Sequence, residues 1–508
     1  MNRYYLGLDN GGTTTKAALF DPTGRELCTA SRSTAIITAQ PGFAERDMEG
    51  MWDANCAVIR AVLEKSGASP AEIACVGVCG HGKGLYLWGH DGRPVRPGIG
   101  STDTRAYAEV QRWAADGTER SAFARSCQHL MPCQPPALLA WLRVHEPETL
   151  SRVRWIFGCK DYIRFRLTGV PGAELTDASG SGLLNLHTRD YDDALLELFH
   201  LTDLRETLPP LCRAAEICGS VTPSAAAQCG LAAGTPVIGG MFDIDACALA
   251  TGVTDERRLC MIAGTWSINE YLRRAPVTDG SVRMNSLFCL PEFYLIEESS
   301  PTSAGNNAWF LRRLLPEVCS AAGSEVYREL NSWVESVPPE EFVPVFLPFI
   351  LASSVHPNAR GSFVGISANH TRRHLLRSVY EGIAFCHRAH AEKLLRSREA
   401  PPESVRLAGG AARSAVWTRI FADVLSLPVE TVEVNETGAL GCAIAAAAAL
   451  GDYDSVQDAA RHMCRVAPAV APREELREIY DRKYALYQKT IACLDGLWDD
   501  MQRLIEEK

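Results

Sequence analysis

The sequence predicts an α/β protein of two large domains, and three observations carry that expectation. A chain of 508 residues, 46% hydrophobic and 22% charged, is longer than a single hydrophobic core comfortably supports. Through its first half, short apolar runs alternate with segments of helical periodicity. The strand–turn–strand unit that opens the chain also has a counterpart that reopens the second half near Arg258.

Tyr4–Leu8 is an apolar run ending in Asp9-Asn10-Gly11-Gly12-Thr13-Thr14-Thr15-Lys16, and Ala17–Phe20 is apolar again before the turn residues Asp21-Pro22-Thr23-Gly24. This is strand, tight turn, strand, turn. Met51–Lys65 follows as an amphipathic helix, Ile73–Cys79 as a buried strand, and Tyr86–Trp88 as its successor across a glycine-rich turn. Pro236–Gly240 is a short strand leading into Met241–Gly252, where small apolar residues recur at helical spacing after Asp243. Arg258–Ala263 then runs into Gly264-Thr265-Trp266-Ser267, a second Gly-Thr hairpin. An internal duplication explains the recurrence, and so does chance. Taken as a duplication, it puts a boundary near Thr251 and gives domains 1–250 and 251–508. Helices are expected at Leu375–Ser397, Ala415–Leu425, Ala439–Leu450 and from about Arg473 to Glu507.

A formal net charge of -10 argues against nucleic acid as a partner, because binding a phosphate backbone needs a basic face. Residues 1–20 lack the charged, apolar and small-residue regions of a secretory signal. The most apolar stretch, Ala439–Leu450, is about half the ~20 residues that span a bilayer. A soluble, cytoplasmic protein without a membrane partner is expected. The 18 cysteines are scattered singly without CxxC or His/Cys metal spacing, which reads as free thiols in a reducing compartment. His387 and His390 stand three apart, but HxxH without a third ligand is more often structural.

The Gly11, Gly12, Thr13, Thr14 turn offers backbone N–H groups and hydroxyls to an anion, with glycine allowing close approach. Lys16 adds positive charge just beyond it, and Asp9 at the mouth of the first strand suits Mg²⁺ held through water. A polar β-hairpin with no ligand would look the same. Gly77-Val78-Cys79-Gly80-His81-Gly82-Lys83-Gly84 imitates the start of a P-loop, but Gly84 replaces the metal-binding Ser/Thr and a strand-like run follows where a helix is needed. It is read instead as a loop presenting His81 and Lys83. Asp243 is placed either to face a cleft or to cap the helix that follows it.

These pieces add up to a family. Gly361-Ser362-Phe363-Val364-Gly365-Ile366, then seven residues and His374-Leu375-Leu376-Arg377-Ser378-Val379-Tyr380-Glu381, closely resembles the C-terminal motif of the FGGY carbohydrate kinases. Other segments similar to that family lie around it in the same order: Gly7–Lys16, Ser101–Ala106, Lys160–Gly169, Gly239-Gly240-Met241-Phe242-Asp243, Gly264-Thr265 and Ala408–Ser414. The resemblance implies two actin-like, ribonuclease-H-like ATPase domains flanking a catalytic cleft, the first with the sugar site and base, the second binding nucleotide. It implies Asp243 as general base and sugar contact. Gly11, Gly12, Thr13, Thr14, Lys16, Gly264, Thr265, Gly305, Gly410 and Ser414 then line the ATP site. His81, Lys83, Asp103 and Arg105 match sugar loops, a solvated turn or local ion pair being the alternative for the last two.

Two departures concern the sugar. Leu138 stands where the family usually has Lys, three residues before Trp141, and His81-Gly82-Lys83 replaces a Gln-Met-His loop. The stretch Pro41–Met48, the Gly82-Lys83-Gly84-Leu85 loop and Leu138 resemble the L-xylulose kinase branch. The expected reaction is therefore transfer of the ATP γ-phosphate, with Mg²⁺, to a hydroxyl of a ketopentose, L-xylulose first. D-xylulose, L-ribulose, erythritol and glycerol are the alternative acceptors, and an inactive sugar or ATP sensor the alternative class. Expected partners are ATP and the sugar or polyol, with a homodimer the assembly to look for.

Overall fold

The computed structural model describes residues 3–319 and 324–506, which fall into two compact units. The first takes Met1–Thr254, Leu272–Ile296 and Glu433–Arg465; the second takes Asp255–Tyr271, Glu297–Val432 and Val466–Lys508.

In the first unit, strands β1 (Tyr4–Asn10), β2 (Thr14–Phe20) and β3 (Glu26–Ser33) form an antiparallel meander. Helix α1 (Met48–Ser66) starts at Asp47, whose carboxylate accepts the Glu49 N–H, and stops at Gly67 in the left-handed region with φ 67°. Met48, Met51, Trp52, Asn55, Ile59 and Val62 recur at helical spacing and make its buried face. Strand β4 (Ile73–Gly80) lies parallel to β1 and is buried almost throughout, as the unbroken apolar run requires. Helices α2 (Cys159–Thr168) and α3 (Leu175–Ser179) come next, then β5 (Ile217–Ser220), β6 (Pro236–Ile238), β7 (Met241–Phe242) and α4 (Asp243–Ala250). The sheet order is β5-β6-β4-β1-β2-β3, and β7 pairs with the end of β4. Leu6, Leu8, Trp52, Ile59, Val76, Val78, Tyr162 and Ile163 belong to the core on this sheet.

The second unit repeats the device. Strand β8 (Arg258–Ala263) is antiparallel to β9 (Ser267–Arg273). Helices α5 (Ala304–Leu314) and α6 (Arg372–Arg396) precede β10 (Ser404–Gly409), which runs parallel to β8. Helix α7 (Ala415–Leu425) leads to β11 (Val429–Glu430), parallel to β10. A Gly-Thr hairpin whose inner strand gains a parallel neighbour therefore occurs once in each unit, as a duplication would leave it.

Where a single break near Thr251 is the expectation from sequence, the contacts return α8 (Thr437–Ala449) to the first unit. The helix is small and apolar on every side, so it needs cover all round. It finds that cover on β1, β4 and α4. A Cβ on Gly7 would lie 2.2 Å from the Ala439 carbonyl oxygen, and one on Gly441 2.2 Å from that of Ala246. Backbone rests on backbone on both sides of the helix. The last helix, α9 (Arg477–Glu506), begins after a short turn of 3₁₀ helix at Glu474–Leu476; Glu507 lies outside the described residues.

Three helices that sequence periodicity does not reveal, Tyr107–Asp116, Thr118–Ser126 and Pro135–His145, pack around Trp113, Leu138, Leu142 and Phe199. Their shortness and the breaks at Gly117 and Pro135 hide their pattern. After Gly84 comes a strand, Tyr86–Gly89, so no helix N-terminus follows the P-loop-like run. Among the described residues the cysteines are free thiols, and no helix is long and apolar enough to cross a membrane. His387 uses both ring nitrogens on Ser303 and Asn269, while His390 bonds Ser300 through Nε2 and faces Glu298 at 3.5 Å with Nδ1.

If the backbone contact of α8 sets the first unit's geometry, Gly441→Val overpacks it without changing any polar group. We expect a loss of about 1–3 kcal/mol, read as a lower thermal midpoint, with Ala445→Gly on the same helix as a milder comparison. An unchanged midpoint in Gly441→Val would show that the two helices can separate freely.

Candidate active site

Strands β1, β4 and β7 run parallel and end together: Asp9 is opposite Cys79, and Phe242 opposite Gly80. Ligands of open α/β sheets bind beyond such carboxyl ends. Asp243 follows directly as the first residue of α4, with Phe242 in the cap position. Burial raises its carboxyl well above the usual carboxylate range; the charges of Asp9 and Asp177 add to this, and Lys83 opposes it. Asp9 is raised for the same first reason, against the pull of Lys16, and its Oδ1 is buried without a hydrogen-bond partner. Lys16 donates to Glu436 at 2.7 Å. Burial disfavours its charge, but Asp9 and Glu436 together hold the ammonium above its ordinary range.

The turn between β1 and β2 closes through the Gly11 N–H on the Thr14 carbonyl at 3.1 Å, and Arg46 holds the Gly11 carbonyl at 3.0 Å. Gly12 and Thr13 at its tip are exposed, and nothing lies within 4 Å of the Cβ position of Gly12. The backbone there is open to a ligand, while Thr14 and Lys16 sit deeper.

The glycine-rich loop after β4 separates its two candidates. Lys83 sits in the left-handed region at φ 63°, with its ammonium over the Phe242 ring at 5.5 Å. His81 points inward: its Nδ1–H donates to the Gly82 carbonyl at 3.2 Å and its Nε2 accepts the Tyr86 hydroxyl at 2.8 Å. Burial first, then Arg46, lowers its pKa to about 4. The imidazole is neutral at neutral pH, so the positive charge on this loop is Lys83's alone. Asp103 and Arg105 turn toward each other. The Arg105 guanidinium donates to both Asp103 oxygens at 2.9 and 2.8 Å and to Glu45 at 2.6 Å, and stacks on Phe43 at 3.8 Å. Both side chains have no exposed surface, so they form a buried tie between the 43–46 and 103–105 segments.

In the second unit, four candidates gather at the end of β8. The Gly305 N–H donates to the Gly264 carbonyl at 3.3 Å, the Cβ position of Gly305 lies 3.1 Å from the Thr265 carbonyl oxygen, and that of Gly410 lies 3.7 Å from the Ala263 oxygen. Thr265 and Gly410 are exposed. Ser414 instead holds the helix that follows it. Its hydroxyl caps α7 by accepting the Trp417 N–H at 3.1 Å and donates to Asn331 at 2.8 Å.

A buried polar chain behind Asp243 carries residues whose position the sequence does not signal. Lys160 pairs with Asp161 at 2.9 Å and Glu174 at 3.3 Å, and these acids hold its ammonium above the ordinary range against burial. Glu174 accepts the Thr176 hydroxyl at 2.7 Å, and that hydroxyl oxygen accepts the Phe242 N–H at 2.9 Å. The Met241–Phe242 peptide, one before that of Asp243, is thereby tied to α3. Asp177, next in line, is 5% exposed. The only sequence sign is a polar run, Glu174–Ser181, too short to show a period.

Residues 4–250 match the N-terminal domain, and residues 259–450 the C-terminal domain, of the FGGY family of carbohydrate kinases. The chain belongs to the FGGY carbohydrate kinases. It is 37% identical over 498 residues to the L-xylulose/3-keto-L-gulonate kinase of Escherichia coli K12, covering 98% of each chain. A probable L-xylulose kinase of Pasteurella multocida is 35% identical, with 97% of this chain and 99% of the relative covered. Among solved structures, the xylulose kinase of Rhodospirillum rubrum matches with a TM-score of 0.84 at 28% identity, over 98% of this chain and all of that one. This FGGY kinase is thus a phosphotransferase with an alcohol group as acceptor, built on the two-domain α/β fold of its family.

Burying a neutral His81 has a pH signature. Its folded pKa of about 4 lies below the ordinary value near 6.5, so stability present above pH ~6.5 is lost as the unfolded chain takes up the proton. We expect this one group to cost on the order of 2 kcal/mol between pH 7 and pH 5. Guanidinium midpoints at the two pH values should fall less in His81→Gln than in the wild type; equal falls would mean the imidazole is not held neutral.

Proposed function

We propose that this kinase transfers the γ-phosphate of ATP to a hydroxyl of a small ketopentose, with L-xylulose the preferred acceptor and Asp243 the general base. The observation that carries the reading is the position of Asp243: a carboxyl raised by burial at the end of parallel strands, with Lys83 the nearby cation. Phosphoryl transfer needs positioning and charge neutralisation more than covalent chemistry. A carboxyl held above its usual range accepts the proton of the attacking hydroxyl more readily as the new bond forms. Thr13 with the Gly11–Gly12 backbone, and Thr265 with Gly264, offer donors to phosphate oxygens on their respective units. Gly305 and Gly410 leave room for the nucleotide, while Ser414 shapes that side through its cap of α7.

Mg²⁺ keeps several of its waters and takes few protein ligands. The buried, unpartnered Oδ1 of Asp9 fits such a role, with Lys16 beside it. When bound, the ion supplies neutralisation of the phosphate charge.

L-xylulose as acceptor is supported by the names of the two curated relatives. A second reading, an acidic ketose such as the 3-keto-L-gulonate in one of those names, is favoured by Lys83, which among the described residues has no ion-pair partner. Its ammonium would meet the substrate carboxylate. His81 serves either reading indirectly, by packing the loop through Tyr86, as do Asp103 and Arg105 by fixing the neighbouring turn. Localisation in the cytoplasm and a homodimeric assembly complete the reading.

Asp243→Ala tests the mechanism. We expect a folded protein that still binds ATP and sugar, with kcat lower by roughly 10²–10⁴-fold, measured by coupled ADP release alongside titration of each ligand. Turnover at the wild-type rate would remove Asp243 from the reaction.

A further inference from the structure

We propose that Asp177 is a substrate-binding residue, holding a hydroxyl or the ketone oxygen of the acceptor sugar next to the hydroxyl that Asp243 activates. The inference rests on the reading of Asp243 given above.

Three observations carry it. First, the Asp177 carboxyl is almost wholly buried, yet its Oδ2 has no hydrogen-bond partner. An unpaired carboxyl oxygen withdrawn from water is costly, so a fold that keeps one implies a partner supplied from outside. Second, the carboxyl sits where the site's own elements converge. The vacant Cβ position of Gly82, one residue before Lys83, is bordered by the Phe242 ring edge at 2.6 Å and by Asp177 Oδ1 at 3.0 Å. On the other side, the Cβ position of Gly158 lies 2.5 Å from Oδ2. Any side chain at either glycine would push the carboxyl away. Third, α3 is the element that grips the catalytic strand, through Thr176 on the Phe242 N–H. Asp177 and Asp243 are therefore positioned by one hydrogen-bonded unit.

The charged groups that act on Asp177 are Lys160, Asp161, Glu174, Lys83 and Asp243. Burial raises its carboxyl to about 7, with Lys160 and Lys83 opposing and Asp161 and Glu174 adding. Near neutral pH the group is available both as acceptor and, protonated, as donor. A polyhydroxy ketone, which presents hydroxyls and a carbonyl on adjacent carbons, matches both forms. A site that pairs a sugar oxygen in this way discriminates by leaving its own buried group unpaired when that oxygen is missing. Ketoses should therefore be favoured over deoxy analogues lacking the paired oxygen.

Steady-state kinetics on Asp177→Ala and the isosteric Asp177→Asn test the proposal, with the preferred sugar and ATP varied separately. We expect KM for the sugar to rise about 10- to 100-fold in Asp177→Ala, with KM for ATP within about twofold of wild type, and most of the sugar affinity to return in Asp177→Asn, which keeps one donor and one acceptor. The wild-type sugar KM should also vary with pH around 7, and that dependence should vanish in Asp177→Asn, a readout that still decides the matter if the alanine variant does not fold. A sugar KM unchanged in both variants, or sugar and ATP KM values rising together, would overturn the proposal. Asp243→Ala separates the two claims: if it is inactive while Asp177 variants bind sugar normally, only the role of Asp177 falls; if it is active, the base assignment falls first.

Discussion

The first unit is organised by a helix that touches the sheet through its backbone. With glycine at 7 and 441, α8 packs against β1 on one side and α4 on the other with no side chain between. The same approach brings Gly438, in the first turn of α8, to within 3.3 Å of Asp9 Oδ2 measured from its Cβ position. A helix N-terminus beside a carboxylate is electrostatically favourable. One close contact thus fixes the strand that carries Asp9, the helix that begins at Asp243, and the environment of both. Interiors packed this tightly tolerate little change in volume, which is why the geometry of the two carboxyls follows from the packing and does not need a tie between them.

Charge is the second constraint. Asp177 is buried and Asp9 and Asp243 are half-buried in one region, and each raises or is raised by its neighbours. Lys16 is committed to Glu436 and Lys160 to Asp161 and Glu174, whereas Lys83 has no ion-pair partner among the described residues and lies over the Phe242 ring. Burial of several acids with few committed cations costs stability. Such a cost is characteristic of sites where protonation states are set for chemistry, and the physical parts here agree with a kinase whose acceptor hydroxyl must lose a proton.

Much of this is legible in the sequence. The β1–β2 and β8–β9 hairpins, β4, α1, α7 and α8 lie within a few residues of their expected bounds, because long apolar runs and Gly-Thr turns are local signals. The return of α8 to the first unit is not legible: its contacts with Gly7 span more than four hundred residues and leave no periodic trace. Residue type does not show how His81 is held: Tyr86, five residues on, and the surrounding burial make it neutral. Asp103 and Arg105 read as either site or ion pair, and Glu45, which also pairs with Arg105, lies in a distant short strand, Glu45–Arg46. Asp177 gives no signal because an acid in a short polar run is ordinary until its burial is seen.

The deciding question is whether a polyhydroxy ketone is phosphorylated at the expense of ATP. Coupled ADP release over a panel of L-xylulose, D-xylulose, L-ribulose, 3-keto-L-gulonate, erythritol and glycerol, with phosphorus NMR of the products, measures this directly. A sugar phosphate should form in step with ADP, with the highest kcat/KM for L-xylulose. Turnover confined to erythritol or glycerol would contradict the ketopentose assignment, and no phosphorylated product from any acceptor, despite tight binding of ATP, would contradict the central claim itself.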